Sequence, residues 1–283
     1  MAVVDDRAKS LKCPVCGQLA HFAYTHPDTS IYRCSVCTHA FSNLDSIEQL
    51  ELYSDDYYAE THRNWFENPN IPLFKWIANR IPTDARSVLD VGCGKGDFLR
   101  YLRLVRPDLS LTGVDLSPNT DTNGIKYIEA DIHDANFNER FDVVVNLAVI
   151  EHVASVKDFT RELVDLSNPG GKVFVMTLNE SGLLYRIARV GKKIGFAVAF
   201  TRLYSVHHLH HFSARSLSEL MRKSGLTVDK VHYHNAPLKS IDYPTNNKLV
   251  STIFMGALVV IFAVGRVFYG GYLQTIEARN LNQ

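Results

Sequence analysis

No sign of charge predominates in this chain: thirty Lys and Arg stand against thirty Asp and Glu. A surface built to coat nucleic acid needs clustered positive charge, so the balance argues against a nucleic-acid partner. The opening "MAVVDDRAKSLK" lacks the apolar core of a secretory signal, and the cytoplasm is the expected compartment. A membrane-spanning helix needs about twenty apolar residues. The nearest approach, "LVSTIFMGALVVIFAVG" (249–265), stops at seventeen residues between Lys248 and Arg266. A span is therefore not expected, and the segment reads as a buried helix or one resting on a membrane. Cysteine is scarce, with five in 283 residues. In a reducing compartment these are thiols or metal ligands rather than disulfides.

Four of the five lie in the first forty residues, Cys13 and Cys16 in "CPVCG", Cys34 and Cys37 in "CSVC", with seventeen residues between the pairs. Each C-x-x-C turn lets two sulfurs face one ion, and this spacing is that of a four-cysteine zinc ribbon. Four thiolates fill a tetrahedral zinc, so the metal would be structural and would supply the folding energy of a segment too small for its own core. His21, His26 and His39 nearby read as loop residues. The organisation expected is a zinc-ribbon module over 1–45, a linker with N-terminal helices over 46–85, and a larger domain over 86–283. In that domain "SVLDV", "LSLTGVD", "IKYIEAD", "FDVVVNL" and "GKVFVMT" alternate with helical or loop stretches. Near-continuous apolar strands of this kind indicate an α/β fold, a parallel sheet covered by helices on both faces.

The first of these strands runs into "VLDVGCGKGDFL" (88–99), with Gly92, Gly94 and Gly96 spaced G-x-G-x-G. In a dinucleotide fingerprint the third glycine would fall on Asp97. Asp97 instead places a carboxylate at the helix start, and Asp90 adds another at the strand end. Two acids beside the turn would repel a pyrophosphate but suit a ligand carrying an ammonium and a sulfonium, as S-adenosylmethionine does. Asp115, ending the second strand in "LTGVDLS", is placed to bond two ribose hydroxyls, and "EADIHD" brings Asp131 and Ile132 beside an adenine ring. The fourth strand ends at Asn146 in "FDVVVNLAVIEHV", and "NPGGKVFV" turns into the fifth.

That ordered set resembles the class I S-adenosylmethionine-dependent methyltransferases over residues about 70–280. The resemblance implies a Rossmann-like, seven-stranded, mainly parallel sheet. It places Asp90, Gly92, Gly94 and Gly96 at the methionine end of the cofactor, and Asp115 and Leu116 at ribose and adenine. Asp131 and Ile132 would meet the adenine edge, and Asn146 the methionine moiety. The paired cysteines together with "YSDDYYAE" resemble a zinc-ribbon subgroup among sugar and small-molecule methyltransferases. On that footing the acceptor is a small molecule or glycan, free, nucleotide-linked or lipid-linked, methylated on oxygen or carbon. Two alternatives are a zinc-ribbon RNA methyltransferase and a non-catalytic module of the same fold. "NLAV" after the fourth strand lacks the Asn-Pro-Pro-aromatic pattern suited to exocyclic base amines. Cys93, between two glycines, reads as a small packing residue.

An oxygen or carbon acceptor usually requires a base, for which histidine is suited. Glu151-His152, just past the fourth strand, is one candidate. In quinone-type members of the family the acid sometimes holds a divalent ion. The other is "VHHLHHFSARSLSEL", which resembles the "EHLSYFS" stretch of sugar C-methyltransferases and their active-site histidine. On that match His208 takes the histidine position and ranks first, while His207 replaces the acid and His211 the tyrosine. Between Glu180 and Glu219 there is no acid, and six cations, Arg186, Arg189, Lys192, Lys193, Arg202 and Arg215, lie there. This stretch (about 180–215) reads as a basic lid or insert. Leu183, Ile187, Val190, Ile194 and Val198 recur at helical spacing, so 182–200 reads as a basic amphipathic helix. Its apolar face would pack on the sheet or, with 249–265, make peripheral membrane contact.

Overall fold

The computed structural model describes residues 10–43, 63–119, 123–241, 248–268 and 270–281. The "YSDDYYAE" stretch lies outside the described residues. The chain begins with an antiparallel ribbon of β1 (Ser10–Lys12), β2 (Leu19–Thr25), β3 (Ser30–Cys34) and β4 (Ala40–Ser42). Two helices, α1 (Arg63–Glu67) and α2 (Ile71–Ala78), lead into the larger unit. Its first half alternates β5 (Ser87–Val91), α3 (Asp97–Val105), β6 (Ser110–Asp115), β7 (Ile125–Glu129), β8 (Phe141–Leu147), α4 (Val156–Asp165) and β9 (Ser167–Leu178). Its second half contains α5 (Leu183–Lys193), α6 (Val198–Leu203), β10 (His210–His211), α7 (Ala214–Lys223), β11 (Leu226–His234), α8 (Lys248–Phe268) and β12 (Leu273–Asn280).

Seven strands form one sheet in the order β11-β12-β9-β8-β5-β6-β7, in which β12 alone runs antiparallel to its neighbours. The α/β fold expected from the strand pattern is thus present, with the Rossmann-like strand order. Successive residues of one strand feed opposite cores. Val144 packs with α4 and α7, while Val143 and Val145 pack with α2 and α3. That explains why the strands read as continuous apolar runs rather than alternating ones. The strand order reverses between β5 and β8, which opens a cleft at their carboxyl ends.

The ribbon does not stand apart. β10 adds to its open edge, pairing His210 with Phe41 and His211 with Ala40. The Ser42 N–H donates to Leu209 O at 2.9 Å. Val15, Tyr32 and Phe41 share a core cluster with Phe212 and α7. A buried carboxylate, Glu180, binds Arg33 of the ribbon, Arg189 of α5 and the Tyr204 hydroxyl. One acid therefore fastens three segments far apart in sequence.

Two expectations change. The stretch 182–200 is not one helix: it breaks at Gly195 into α5 and α6, and α5 buries Tyr185 and Ala188. Of the stripe read as packing on the sheet or meeting a membrane, Ile187, Val190, Ile194 and Val198 are exposed. The 249–265 segment is longer than its charge-free part, because α8 runs on through Arg266 to Phe268. Leu249–Phe268 is long and apolar enough to cross a membrane by length and composition, and most of it is not buried.

Because Glu180 neutralises two shielded guanidiniums, Glu180→Ala should lower unfolding stability by about 3 kcal/mol. Urea denaturation of the two proteins measures this; equal midpoints would show that the cluster contributes nothing.

Candidate active site

A cavity of about 560 Å³ occupies the cleft. Its wall brings together Gly92, Gly94, Asp115, Leu116, Asp131, Ile132, Glu151, His152 and His208. A smaller cavity of about 110 Å³ adjoins it through Gly92, Gly94, Trp65 and Leu147, and is lined also by Asp90, Lys95 and Asp97.

Two of the acids, Asp115 and Asp131, are held by local backbone. Asp115 accepts the Gly94 N–H at 2.7 Å and the Ser117 N–H at 2.8 Å. A carboxylate offers about four lone-pair directions, so two remain for a diol. Asp131 accepts the His133 N–H at 2.9 Å, which fixes the turn that presents Ile132. Asp97 pairs with Arg100 at 2.5 Å on the first turn of α3. Asp90 is buried at the end of β5, and its Oδ1 has no hydrogen-bond partner. Burial, and then the charges of Asp115 and Asp97, push its carboxyl up to about 8. An unpartnered buried acid between two others is the electrostatic complement of a bound cation. Together with the glycine turn it fits the amino and sulfonium end of S-adenosylmethionine.

Two of the glycines are required by close approach. At Gly92 (φ +70°) an added Cβ would lie 2.2 Å from Val149 Cγ2, and at Gly96 (φ +77°) 2.1 Å from the Tyr127 hydroxyl. Gly92 and Gly94 line the cavity, whereas Gly96 caps α3 and lines neither cavity. Asn146 is fully buried and donates to Val91 O at 2.9 Å, so it ties β8 to β5 and lies behind both cavity walls. Burial and the neighbouring acids raise the Cys93 thiol far above its usual range, in keeping with a packing role.

The two candidate base loops meet. The His152 and His208 rings lie 4.9 Å apart, and the His152 Nδ1–H donates to His207 O at 2.7 Å. The His208 Nδ1 is 3.4 Å from Leu203 O. Glu151 is buried, with Oε2 unpartnered, and burial pushes its carboxyl up to about 7. His210 and His211 face away into the ribbon contact, where His210 stacks on His39. Trp65, Phe159 and Tyr272 also line the cavity and were not found by motif. Ala148, at φ +59° in the same wall, is equally invisible in the sequence. Apolar wall residues carry no spacing signal.

At the other end of the chain, Cys13 and Cys37 sulfurs lie 3.5 Å apart and those of Cys16 and Cys34 3.4 Å, with all four within 4.8 Å. Sulfurs around a tetrahedral zinc are separated by about 3.8 Å, so the cluster is positioned for that ion.

Comparison with known proteins agrees with this geometry. Residues 42–231 match the Methyltransferase domain family, and the chain belongs to it. It is an S-adenosylmethionine-dependent methyltransferase. It is 28% identical over 215 residues to the ubiquinone biosynthesis O-methyltransferase of Xanthomonas euvesicatoria pv. vesicatoria, covering 69% of this chain and 86% of that one. Its fold is similar to a chain in the complex of the Haloferax volcanii Trm112 methyltransferase activator with a methyltransferase (TM-score 0.60, 20% identity, 81% and 97% covered). It is also similar to Haemonchus contortus phosphoethanolamine N-methyltransferase 2 bound to S-adenosyl-L-methionine (TM-score 0.57, 16% identity, 80% and 60% covered).

Two outcomes follow for cofactor binding. Asp115→Ala should weaken S-adenosylmethionine by about 10- to 100-fold, since each charge-assisted hydrogen bond contributes about 1.5–3 kcal/mol. For Asp90 the raised value means that the ligand-free protein holds a proton there up to about pH 8, while a bound cation favours the ionised form. Affinity should therefore rise with pH up to about 8, and Asp90→Asn should flatten that slope. Calorimetry across this pH range checks both, and an unchanged slope in Asp90→Asn would remove Asp90 from the cation site.

Proposed function

We propose that this enzyme transfers a methyl group to a hydroxyl oxygen of a small-molecule or glycan-type acceptor carried on a lipid. The observation that carries the reading is the convergence of Glu151, His152 and His208 on the same cavity as Asp115 and Asp131. The relatives named as O-methyltransferases support oxygen over carbon. Bound S-adenosylmethionine supplies an electrophilic methyl on a sulfonium, so the chain has only to align the acceptor in line and accept one proton.

His152 is the better placed base. Donating Nδ1–H to His207 O fixes the neutral tautomer whose lone pair is on Nε2. That nitrogen takes the hydroxyl proton as the oxygen–methyl bond forms. Glu151, ionised above about pH 7, stabilises the resulting imidazolium from the same wall. The longer contact of His208 suits it to shaping the pocket around His152. This reverses the order in which the sequence ranks the two histidines.

The reading as a zinc-ribbon RNA methyltransferase finds no favouring observation: the cavity wall offers acids and histidines rather than a cationic track. For the ribbon, Cys13, Cys16, Cys34 and Cys37 are assigned to one structural zinc.

The acceptor test uses methyl-labelled S-adenosylmethionine with lipid and polar extracts of cells lacking the protein. A labelled lipid-phase product is expected, and label confined to RNA would overturn the reading. On that product His152→Asn should cut turnover by about 100-fold or more while keeping cofactor affinity, and His208→Asn should cost about 10-fold or less. The opposite order would move the base to His208. Cys13→Ser should lose the metal, measured as one zinc per chain in the wild type. It should also lower turnover with cofactor affinity kept, because β10 links the ribbon to the loop of Glu151. Full turnover in a zinc-free protein would separate the two.

A further inference from the structure

The structure leaves one broad apolar face open. α5 packs against α8, with Gly265 set close to Leu183. From these helices and the turn after α5, Val190, Ile194, Phe196, Val260, Val267 and Phe268 point outward, the last three 61%, 72% and 73% exposed. Exposed apolar side chains gathered on two packed helices mark an interaction site.

Charge identifies what fits it. No acid occurs between Glu180 and Glu219, nor from Tyr243 to Ile276, although the whole chain is neutral. The exposed cations share these elements: Arg186 and Lys193 stand on α5, Arg202 on α6 and Arg266 on α8. Exposed apolar and cationic side chains on the same helices, with no acid among them, complement an anionic bilayer surface, whose headgroups meet the cations while the acyl boundary takes the apolar side chains.

α8 is tied at its middle to the ends of β11 and β12 and lies along the protein. The chain reaches α8 from β11 and leaves it into β12, whose ends pair at His234 and Leu273. Asn235 accepts from the Tyr272 N–H at 2.8 Å and donates to Phe262 O at 3.3 Å, which clasps the helix to the strand ends. Leu258 and Phe262, well inside the helix, are buried, and Phe262 stacks on Tyr272 at 5.8 Å. A spanning helix would have its middle in lipid all round; this one has its middle on the protein.

We propose that the α5–α8 face docks on an anionic lipid bilayer and opens the catalytic cavity toward it. Tyr272, beneath Phe262, lines the cavity together with Leu178 and Leu273. These belong to the β9–β12 side of the sheet, and the residues assigned to ribose and adenine lie on the β6–β7 side. A lipid-borne acceptor would enter from the bilayer at the end opposite the adenine. Only this last step rests on the proposed acceptor; docking does not.

The test uses the full-length protein and vesicles of phosphatidylcholine, with and without phosphatidylglycerol. Wild type should sediment with the anionic vesicles and remain in solution with the neutral ones. The triple variant Lys193→Glu, Arg202→Glu, Arg266→Glu should bind about 100-fold more weakly, as should Val260→Asp with Val267→Asp, both keeping S-adenosylmethionine affinity. Hydrogen exchange on the wild type, which needs no variant to fold, should slow in α5 and α8 when anionic vesicles are added. Failure to sediment, or unchanged exchange in both helices, would overturn the proposal. So would a dimer, detected by light scattering, that Val260→Asp dissolves, because a second copy would then own the face. Docking without lipid-phase methylation would leave this proposal standing and overturn the acceptor instead.

Discussion

The short strand β10 is bonded on one edge to β4 of the ribbon, and its His210 N–H donates to the carbonyl of Glu151 at 3.0 Å. The residue just before it, Leu209, accepts from Ser42 of the ribbon, and the residue before that, His208, is in the cavity wall. The placement of both candidate base loops therefore depends on a two-residue edge pairing with a domain that contributes nothing to the cavity itself. A ribbon of four short strands has little core of its own, so a metal that fixes its shape also fixes the edge on which β10 is laid. A structural ion bound there would have a route to catalysis without any contact with substrate.

The parts of the fold that follow from repeated local signals were legible in the sequence. The strands at β5, β6, β7 and β8, the glycine turn and the cysteine pairs each carry a spacing set by backbone geometry, and each sits where that spacing put it. The histidine run was legible only as a cluster. His208 enters the cavity, His207 lends a carbonyl to His152, and His210 and His211 are buried against the ribbon. Which way each points is decided by β4, some 170 residues earlier, as the pairing of His210 with Phe41 shows. Asn146, set at the methionine moiety by the resemblance, lines neither cavity: at the end of a strand flanked on both sides, its side-chain N–H donates to Val91 O. The sequence left open whether the apolar stripe of α5 packs on the sheet or faces outward, because apolar periodicity reports a face and not what covers it.

Electrostatics divides the cavity into two halves with one theme. Asp90 and Glu151 are both buried carboxyls raised into the neutral range by burial, and both have an oxygen without a partner. Left empty, each costs stability as the pH rises through its raised value, because the unfolded chain releases a proton that the folded one retains. A cation resolves that cost in each case. At Asp90 it is the fixed charge of the cofactor. At Glu151, on the proposed mechanism, it would be the imidazolium that exists only once the acceptor has lost its proton, and the second carboxylate would then favour the transition state over the ground state.

The same asymmetry extends to the outer surface. Apolar groups on α5 and α8 exposed to water are unfavourable at about 25 cal/mol per Å², yet the stretches that carry them hold cations and no acid from Ser181 to Ser218 or from Tyr243 to Ile276. Burying that face in a second protein would strand the cations against a partner of undefined charge. A bilayer of anionic lipid satisfies both features at once. The face also lies next to Tyr272, the residue through which α8 touches the cavity. The helix that holds the enzyme to the surface would then be the one that helps form the entrance for what the surface delivers.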